Sequence, residues 1–82
     1  MNPPKIVIMT VRGSETAITE YTGDDTREVV LAFVEQERQA GFAAAYRYTG
    51  STDSTGMPMY REMGGPDSRP IPTEAVTLAD SE

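Results

Sequence analysis

The sequence predicts an α+β two-layer sandwich, in which a four-stranded, mainly antiparallel sheet of order β-β-α-β-β carries one helix on one face. Three observations predict this fold: an alternating run of β-branched residues near the N-terminus, one segment of helical periodicity with marked ends, and two further alternating segments after it. A single helix can cover only one face of the sheet that the strands form.

The segment Lys5 to Arg12, KIVIMTVR, is the clearest predicted strand. Apolar residues occupy both sets of alternating positions, and β-branched residues dominate. Such a strand is expected to be central in the sheet, or to have its outer face covered by a partner. Gly13-Ser14 then provides a turn, and Thr16 to Thr22, TAITEYT, alternates well enough to be the return strand of a hairpin.

The helix is predicted from Asp25 to Gly41. Asp25 is expected to cap its first turn, and Glu28 completes a capping-box pattern that also suits the helix dipole. Gly41 is expected to end the helix as a left-handed C′ residue. The apolar side of this helix is predicted to carry Val30, Phe33 and Val34, extended by Val29 or Ala40.

Two more strands are predicted after the helix. Phe42 to Thr49 places its aromatic residues on one face, the polar segment Gly50 to Gly56 has the composition of a hairpin loop, and Met57 to Met63 resumes the alternation. Pro58 is expected to confine this last strand to an edge or to mark a bulge.

The chain is predicted to form one domain over residues 1–63, followed by a flexible Pro/Gly-rich acidic tail over residues 64–82. A chain of 82 residues has a small core, which homodimerisation would enlarge. Glu74 to Leu78 could add a short strand, but the polar composition of this segment favours a mobile tail.

Charge and composition exclude several classes of protein. Thirteen acidic against seven basic residues give a formal charge of −6, which disfavours direct binding to nucleic acid or to anionic membranes and favours a protein or ribonucleoprotein partner with a basic surface. The absence of Cys excludes disulfides and thiolate metal sites. The N-terminal apolar run is too short for a secretion signal or a membrane span, so the expected location is the cytoplasm of a bacterial host cell.

No enzymatic activity and no cofactor are predicted. The chain has neither His nor Cys, so the commonest general base and the strongest nucleophile are missing. The carboxylates of Asp24, Asp25 and Glu28 coincide with the predicted helix start, where a capping role accounts for them. The Gly-rich loop lacks the Lys of a phosphate-binding loop and joins two strands.

Tyrosines and arginines on the last two strands are also typical of a platform on which nucleic-acid bases stack. The candidates for it are Tyr46, Tyr48 and Tyr60 with Arg47 and Arg61. The excess of acid favours core packing and cross-strand pairing of these residues instead.

Acidic residues surround the helix and its approach, and such a surface suits a basic groove on a partner. These candidate partner-binding residues are Glu20, Asp24, Asp25, Glu28, Glu35 and Glu37. Two other functions stay open. Gly64-Gly65 after the last strand is typical of β-grasp ubiquitin-like or sulfur-carrier proteins, which would require processing at Gly65, and the chain could equally be a subunit of a phage particle or assembly.

The segment Asp25 to Met57, and in particular AYRYTG at Ala45 to Gly50 followed by the polar loop and Gly56-Met57, resembles a stretch of small phage-encoded anti-CRISPR proteins directed at type I-E systems. This resemblance implies a non-enzymatic inhibitor that binds the surveillance complex, Cascade, and prevents DNA engagement or nuclease recruitment. It also implies a partly structural role for the Tyr46 to Tyr48 string. The six acidic candidates follow from charge and not from the resemblance.

Overall fold

The computed structural model describes residues 2–78 and shows an α+β fold with one α-helix and an antiparallel sheet of five strands, one more than predicted. The spatial order of the strands is β2-β1-β3-β4-β5. Their bounds are β1 Ile6–Arg12, β2 Glu15–Glu20, β3 Phe42–Thr52, β4 Pro58–Glu62 and β5 Ser68–Pro70. Helix α1 spans Arg27–Glu37, and single 3₁₀ turns follow at Arg38–Ala40 and Thr73–Ala75.

Strand β1 is central, as its two apolar faces predict, since it pairs with β2 on one side and with β3 on the other. The face under α1 buries one apolar cluster, whose members are Ile6, Ile8, Val30, Val34, Ala43 and Ala45. The alanines of β3 leave room for the helix to lie close to the sheet. Phe33, predicted on the buried side of the helix, is instead 38% exposed.

The opposite face of the sheet is covered by the chain itself. We call Ile71 to Leu78 the C-terminal strap. Its Ile71 and Val76 are buried against this face, and Thr77 forms a parallel bridge with Thr19 of β2. The bridge is closed by the Thr77 amide, which donates to the Ile18 carbonyl at 2.8 Å. The cluster on this side comprises Val7, Ala44, Tyr46, Tyr60, Ile71 and Val76.

The segment predicted to be a flexible tail therefore packs against the sheet as far as Leu78, contrary to the prediction. The turn after β4 returns the chain as β5, which pairs with β4, and the strap then crosses the sheet to β2. Ile71 and Val76 hold it by filling a face that is already apolar, and backbone hydrogen bonds at Ile71 and Thr77 fix its two ends. The remainder of the predicted tail, residues 79–82, lies outside the described residues.

The N-cap of the helix lies one residue later than predicted, at Thr26 instead of Asp25. Thr26 is the N-cap residue and makes no side-chain capping bond. The Asp24 carboxylate accepts from the Thr26 amide at 2.8 Å, while Asp25 pairs with Lys5. A short Asp side chain often bonds the amide two residues on, which explains why the acid before the predicted cap is the one engaged.

The α-helix ends at Glu37, earlier than predicted, and Gly41 ends the 3₁₀ turn that follows it. Its φ of +150° and ψ of −160° differ from the left-handed helical conformation expected of a C′ residue. A Cβ atom added there would lie 2.4 Å from the Val11 carbonyl oxygen. We expect Gly41→Ala to lower the free energy of unfolding by about 2–5 kcal/mol, because it combines backbone strain with a clash against main chain. Urea unfolding checks this, with Gly50→Ala as the control: Gly50 has a φ of +87° in open space, so that change should cost only about 1 kcal/mol. Equal losses in both variants would contradict the role of the Val11 contact.

Of the two alternatives expected for Pro58, the edge position is wrong, whereas an irregular register near Pro58 agrees with the expectation of a bulge. Strand β4 lies between β3 and β5. The β3–β4 register shifts between Tyr48 and Thr52, and Pro58 pairs with Thr52 beyond this irregularity. The Pro58 carbonyl accepts from the Ile71 amide at 3.1 Å, so the residue that lacks an amide still serves as an acceptor at the start of the strap.

Candidate functional site

The six acidic candidates do not form a single surface. Glu20 lies opposite Val7 in the β1–β2 register, which places it on the strap side of the sheet, where its charge helps to raise the pKa of Tyr60. The other five are distributed around α1 and its approach on the opposite side. The predicted acidic face is therefore smaller than the sequence suggested, because strand alternation sends Glu20 to the other face.

Three of the remaining acids are paired with basic residues. Glu37 meets Arg12 at 2.6 Å, Glu35 meets Arg38 at 3.3 Å, and Asp25 meets Lys5. Hydrogen bonding from Lys5 holds the pKa of the Asp25 carboxyl below its ordinary value. Such exposed pairs contribute little to stability, about 0–1 kcal/mol each. Exchanging one of them for an ion pair with a partner would therefore cost the protein little stability.

Asp24 and Glu28 are exposed and make no ion pair among the described residues. Hydrogen bonding from Thr26 lowers the pKa of Asp24, so this carboxylate is ionised at neutral pH. Glu28 lies in the first turn of α1, where a negative charge interacts favourably with the helix dipole.

Two large apolar side chains of α1 are exposed next to these acids. Val29 is 42% exposed and Phe33 is 38% exposed, and their four-residue spacing places them side by side. The Phe33 ring lies 5.5 Å from the ring of Tyr21, which precedes the helix. We call Tyr21, Val29 and Phe33 the helix strip. A cleft of about 200 Å³ lies between Tyr21 and Phe33 of this strip and strands β1 and β2, and Glu37 contributes to its lining.

A second concave surface lies on the other side of α1 and was not predicted. This basic groove, about 640 Å³ in volume, lies between the start of α1 and the β3–β4 hairpin. Three arginines dominate it. Its lining consists of Arg27, Arg47, Tyr48, Thr49, Arg61, Glu62 and Met63.

The tyrosines and arginines considered as a stacking platform lie on opposite faces of the sheet. Tyr46 and Tyr60 are buried on the strap side, whereas Arg47 and Arg61 are exposed. The Tyr46 hydroxyl donates to the Asp67 carboxylate at 2.8 Å, and the Tyr60 hydroxyl donates to the Pro4 carbonyl at 2.6 Å. Burial raises the pKa of both phenols to about 12. Core packing of these two tyrosines is therefore confirmed.

The polar hairpin loop is organised around one carboxylate. Asp53 Oδ1 accepts from the amides of Thr55 and Met57, both at 2.9 Å, and from the Thr55 hydroxyl at 2.7 Å. These bonds lower the pKa of Asp53. The amides that could otherwise bind an external anion here are already occupied, so the loop is a structural turn.

Within residues 2–78 no three acidic side chains come close enough together to hold a metal ion. The helix in that range lacks the length and apolar character needed to cross a bilayer. Comparisons of the chain with protein-family models, with curated proteins and with solved structures find no match. The resemblance to anti-CRISPR proteins thus stays a prediction.

Proposed function

We propose that this protein is a non-enzymatic binding protein, and that it docks on a macromolecular partner through the helix strip and the acids beside it. The observation that carries the proposal is the exposure of Val29 and Phe33 on α1 between Glu28 and Glu37. The partner is expected to be a protein or ribonucleoprotein that offers an apolar groove with a basic rim. The helix would bind it in the helix-in-groove mode.

The energetics of interfaces support this choice of surface. Binding energy concentrates in a few apolar or aromatic anchors, and the charged rim adds specificity and a faster encounter. The helix strip supplies the anchors, and its Phe33 is already held in place by Tyr21. Glu28 and Glu37 supply a negative rim, with Glu37 able to exchange Arg12 for a basic residue of the partner.

The specific form of this proposal is an anti-CRISPR protein that acts in the bacterial cytoplasm on a type I-E Cascade. Its support is the sequence resemblance together with the acidic charge of −6, which suits the basic surface that such a complex presents to DNA. The fold supports this form of the proposal only in that the acidic residues around α1 lie at the surface.

The carrier alternative is not favoured by the position of the glycines. Gly64 and Gly65 lie in the turn between β4 and β5, where Gly64 has a φ of +82°. Processing at Gly65 would remove β5 and the strap, and with them the cover over the buried Tyr60. No observation specifically favours a phage assembly subunit.

The double change Glu28→Lys with Val29→Ser tests the proposed surface. Both side chains are exposed, so the fold should be retained, and we expect affinity for purified type I-E Cascade to fall by roughly 30-fold because an apolar anchor and a rim charge are lost together. Biolayer interferometry measures this. Asp24 and Asp25 are left unchanged, because their reversal would also disturb the contacts to Thr26 and Lys5.

The matched control is Glu74→Lys with Leu78→Ser, the same change of charge and polarity at two exposed positions near the strap's end. It should bind like the wild type. Equal binding by the helix variant would exclude the helix strip, and no binding by the wild type would exclude Cascade as the partner. In the latter case, affinity capture from a bacterial lysate at low and high salt tests the broader proposal, since exposed ionic contacts are screened within about 10 Å at 0.1 M salt.

A further inference from the structure

We propose that the basic groove binds a small ligand through an oligophosphate group. The groove lies on the opposite side of α1 from the helix strip, so this proposal is independent of partner docking. It depends on where the arginines lie, on what they contact, and on the size and chemistry of the space between them.

The basic residues of the chain fall into two groups, those that form ion pairs and those that do not. Four of the seven basic residues are engaged in ion pairs, and the three that have no ion pair among the described residues all line this one groove. They are Arg27, Arg47 and Arg61. In a chain of net charge −6, with acids in excess, three guanidinium groups that form no ion pair within the described residues line one groove, whose one described acidic lining residue is Glu62.

The second observation is that the fold places these charges unfavourably. Arg47 and Arg61 are directly opposite each other in the β3–β4 register, and like charges in a cross-strand pair are destabilising. Arg27 is the first residue of α1, at the positive end of the helix dipole, where a cation is also unfavourable. An anion in the groove would relieve both effects.

One of the three arginines is held in position. Arg47 Nη2 donates to the Asp25 carbonyl oxygen at 3.2 Å. The Asp25 carboxylate is paired with Lys5, which lowers the pKa of this carboxyl, and the charge of Arg47 lowers that pKa further. Because that carboxylate already has a partner, the Arg47 guanidinium keeps most of its donors for a ligand.

The chemistry of the lining selects phosphate. Guanidinium groups bind phosphate in a bidentate manner. A ligand with two linked phosphoryl groups offers enough acceptor oxygens for three guanidinium groups, whereas a ligand with a single carboxylate does not. A volume of about 640 Å³ is typical of a small-molecule site. The net negative charge of the protein disfavours long polyanions. Tyr48 also lines the groove, but its side chain packs against the cluster on the strap side of the sheet, where its ring lies 5.5 Å from that of Tyr60. It is therefore not placed to stack on a base in the groove.

Inorganic pyrophosphate is the probe for the test. Calorimetric titration at low salt should show saturable binding to the full chain, with affinity reduced at least about tenfold by Arg47→Gln and by Arg61→Gln, since a charged hydrogen-bond donor is lost from the site. Arg69→Gln is the matched control, because Arg69 is an exposed arginine paired with Asp67 at β5. It should bind pyrophosphate like the wild type.

Thermal unfolding gives a second readout that separates binding from folding. Without pyrophosphate, Arg61→Gln should melt no lower than the wild type, because the repulsion from Arg47 is removed. With pyrophosphate, the wild type should gain more stability than the variant at the same ligand concentration. Addition of ATP in place of pyrophosphate should give a similar gain if the phosphates alone are recognised.

Three results would overturn the proposal: no saturable binding of pyrophosphate at millimolar concentration, equal binding by all three glutamine variants, or binding of a single-stranded oligonucleotide without binding of pyrophosphate. The glutamine variants of Arg47 and Arg61 should keep the partner binding tested above. A loss of both activities in these variants would also count against a separate phosphate site.

Discussion

Replacing Ile71 with alanine should lower the free energy of unfolding by about 2–5 kcal/mol, the range for removing a large aliphatic side chain from a packed core. Ile71 is only 2% exposed and packs in the cluster that covers Tyr46 and Tyr60. For a domain of this size, whose total stability is on the order of 4–12 kcal/mol, the loss is a large fraction of the whole. Urea unfolding followed by circular dichroism measures it.

Leu78→Ala is the control for this experiment, because it removes an aliphatic side chain from the same strap at a position that is 42% exposed. It should change stability by less than about 1 kcal/mol. A shorter chain that ends at Asp67 should lose the native fold, because it lacks β5 and the strap altogether. If Ile71→Ala and the short chain both unfold like the wild type, the segment is a dispensable tail and the strap does not stabilise the sheet.

The sheet and the strap show what the pattern of residues could and could not predict. Alternation is a local property, and it correctly predicted β1 as a central strand with two apolar faces. The cover over the second face comes from a segment with no alternation of its own: β5 has the sequence Ser-Arg-Pro, and Ile71 and Val76 are isolated among polar residues and prolines. The two apolar faces of β1 predicted a cover. Glu74 to Leu78 offered a short strand, but its polar composition favoured a mobile tail over the covering segment that the structure shows.

The basic groove could not be predicted for a different reason. The sequence groups Arg47 with Arg61 on the last two predicted strands, but it does not fix the register between these strands. The β3–β4 register places the two arginines directly opposite each other. Arg27 then joins them through the packing of α1 on β3, which brings the start of the helix beside the β3–β4 hairpin. The six acids were identifiable by charge, but their division between two faces depended on the β1–β2 register.

Stability should fall steeply between pH 10 and pH 12. Burial raises the pKa of Tyr46 and Tyr60 from 10.0 to about 12, with Asp67 contributing at Tyr46 through its hydrogen bond. Between these pH values the folded protein keeps protons that the unfolded chain releases, so the stabilisation is complete below pH 10 and is lost as pH rises towards 12. The loss is on the order of 2–3 kcal/mol for each tyrosine. Urea unfolding at stepped pH measures it.

The double variant Tyr46→Phe with Tyr60→Phe separates this effect from general alkaline damage. At neutral pH it should be less stable than the wild type by about 1–3 kcal/mol for each lost hydrogen bond, because the Asp67 carboxylate and the Pro4 carbonyl lose their donors. Its stability should then change little between pH 10 and pH 12, so the two stability curves should converge as the pH rises. Parallel curves would mean that the two buried phenols are not the groups that titrate, and the strap-side core would have to be more open to water than the burial of Tyr46 and Tyr60 indicates.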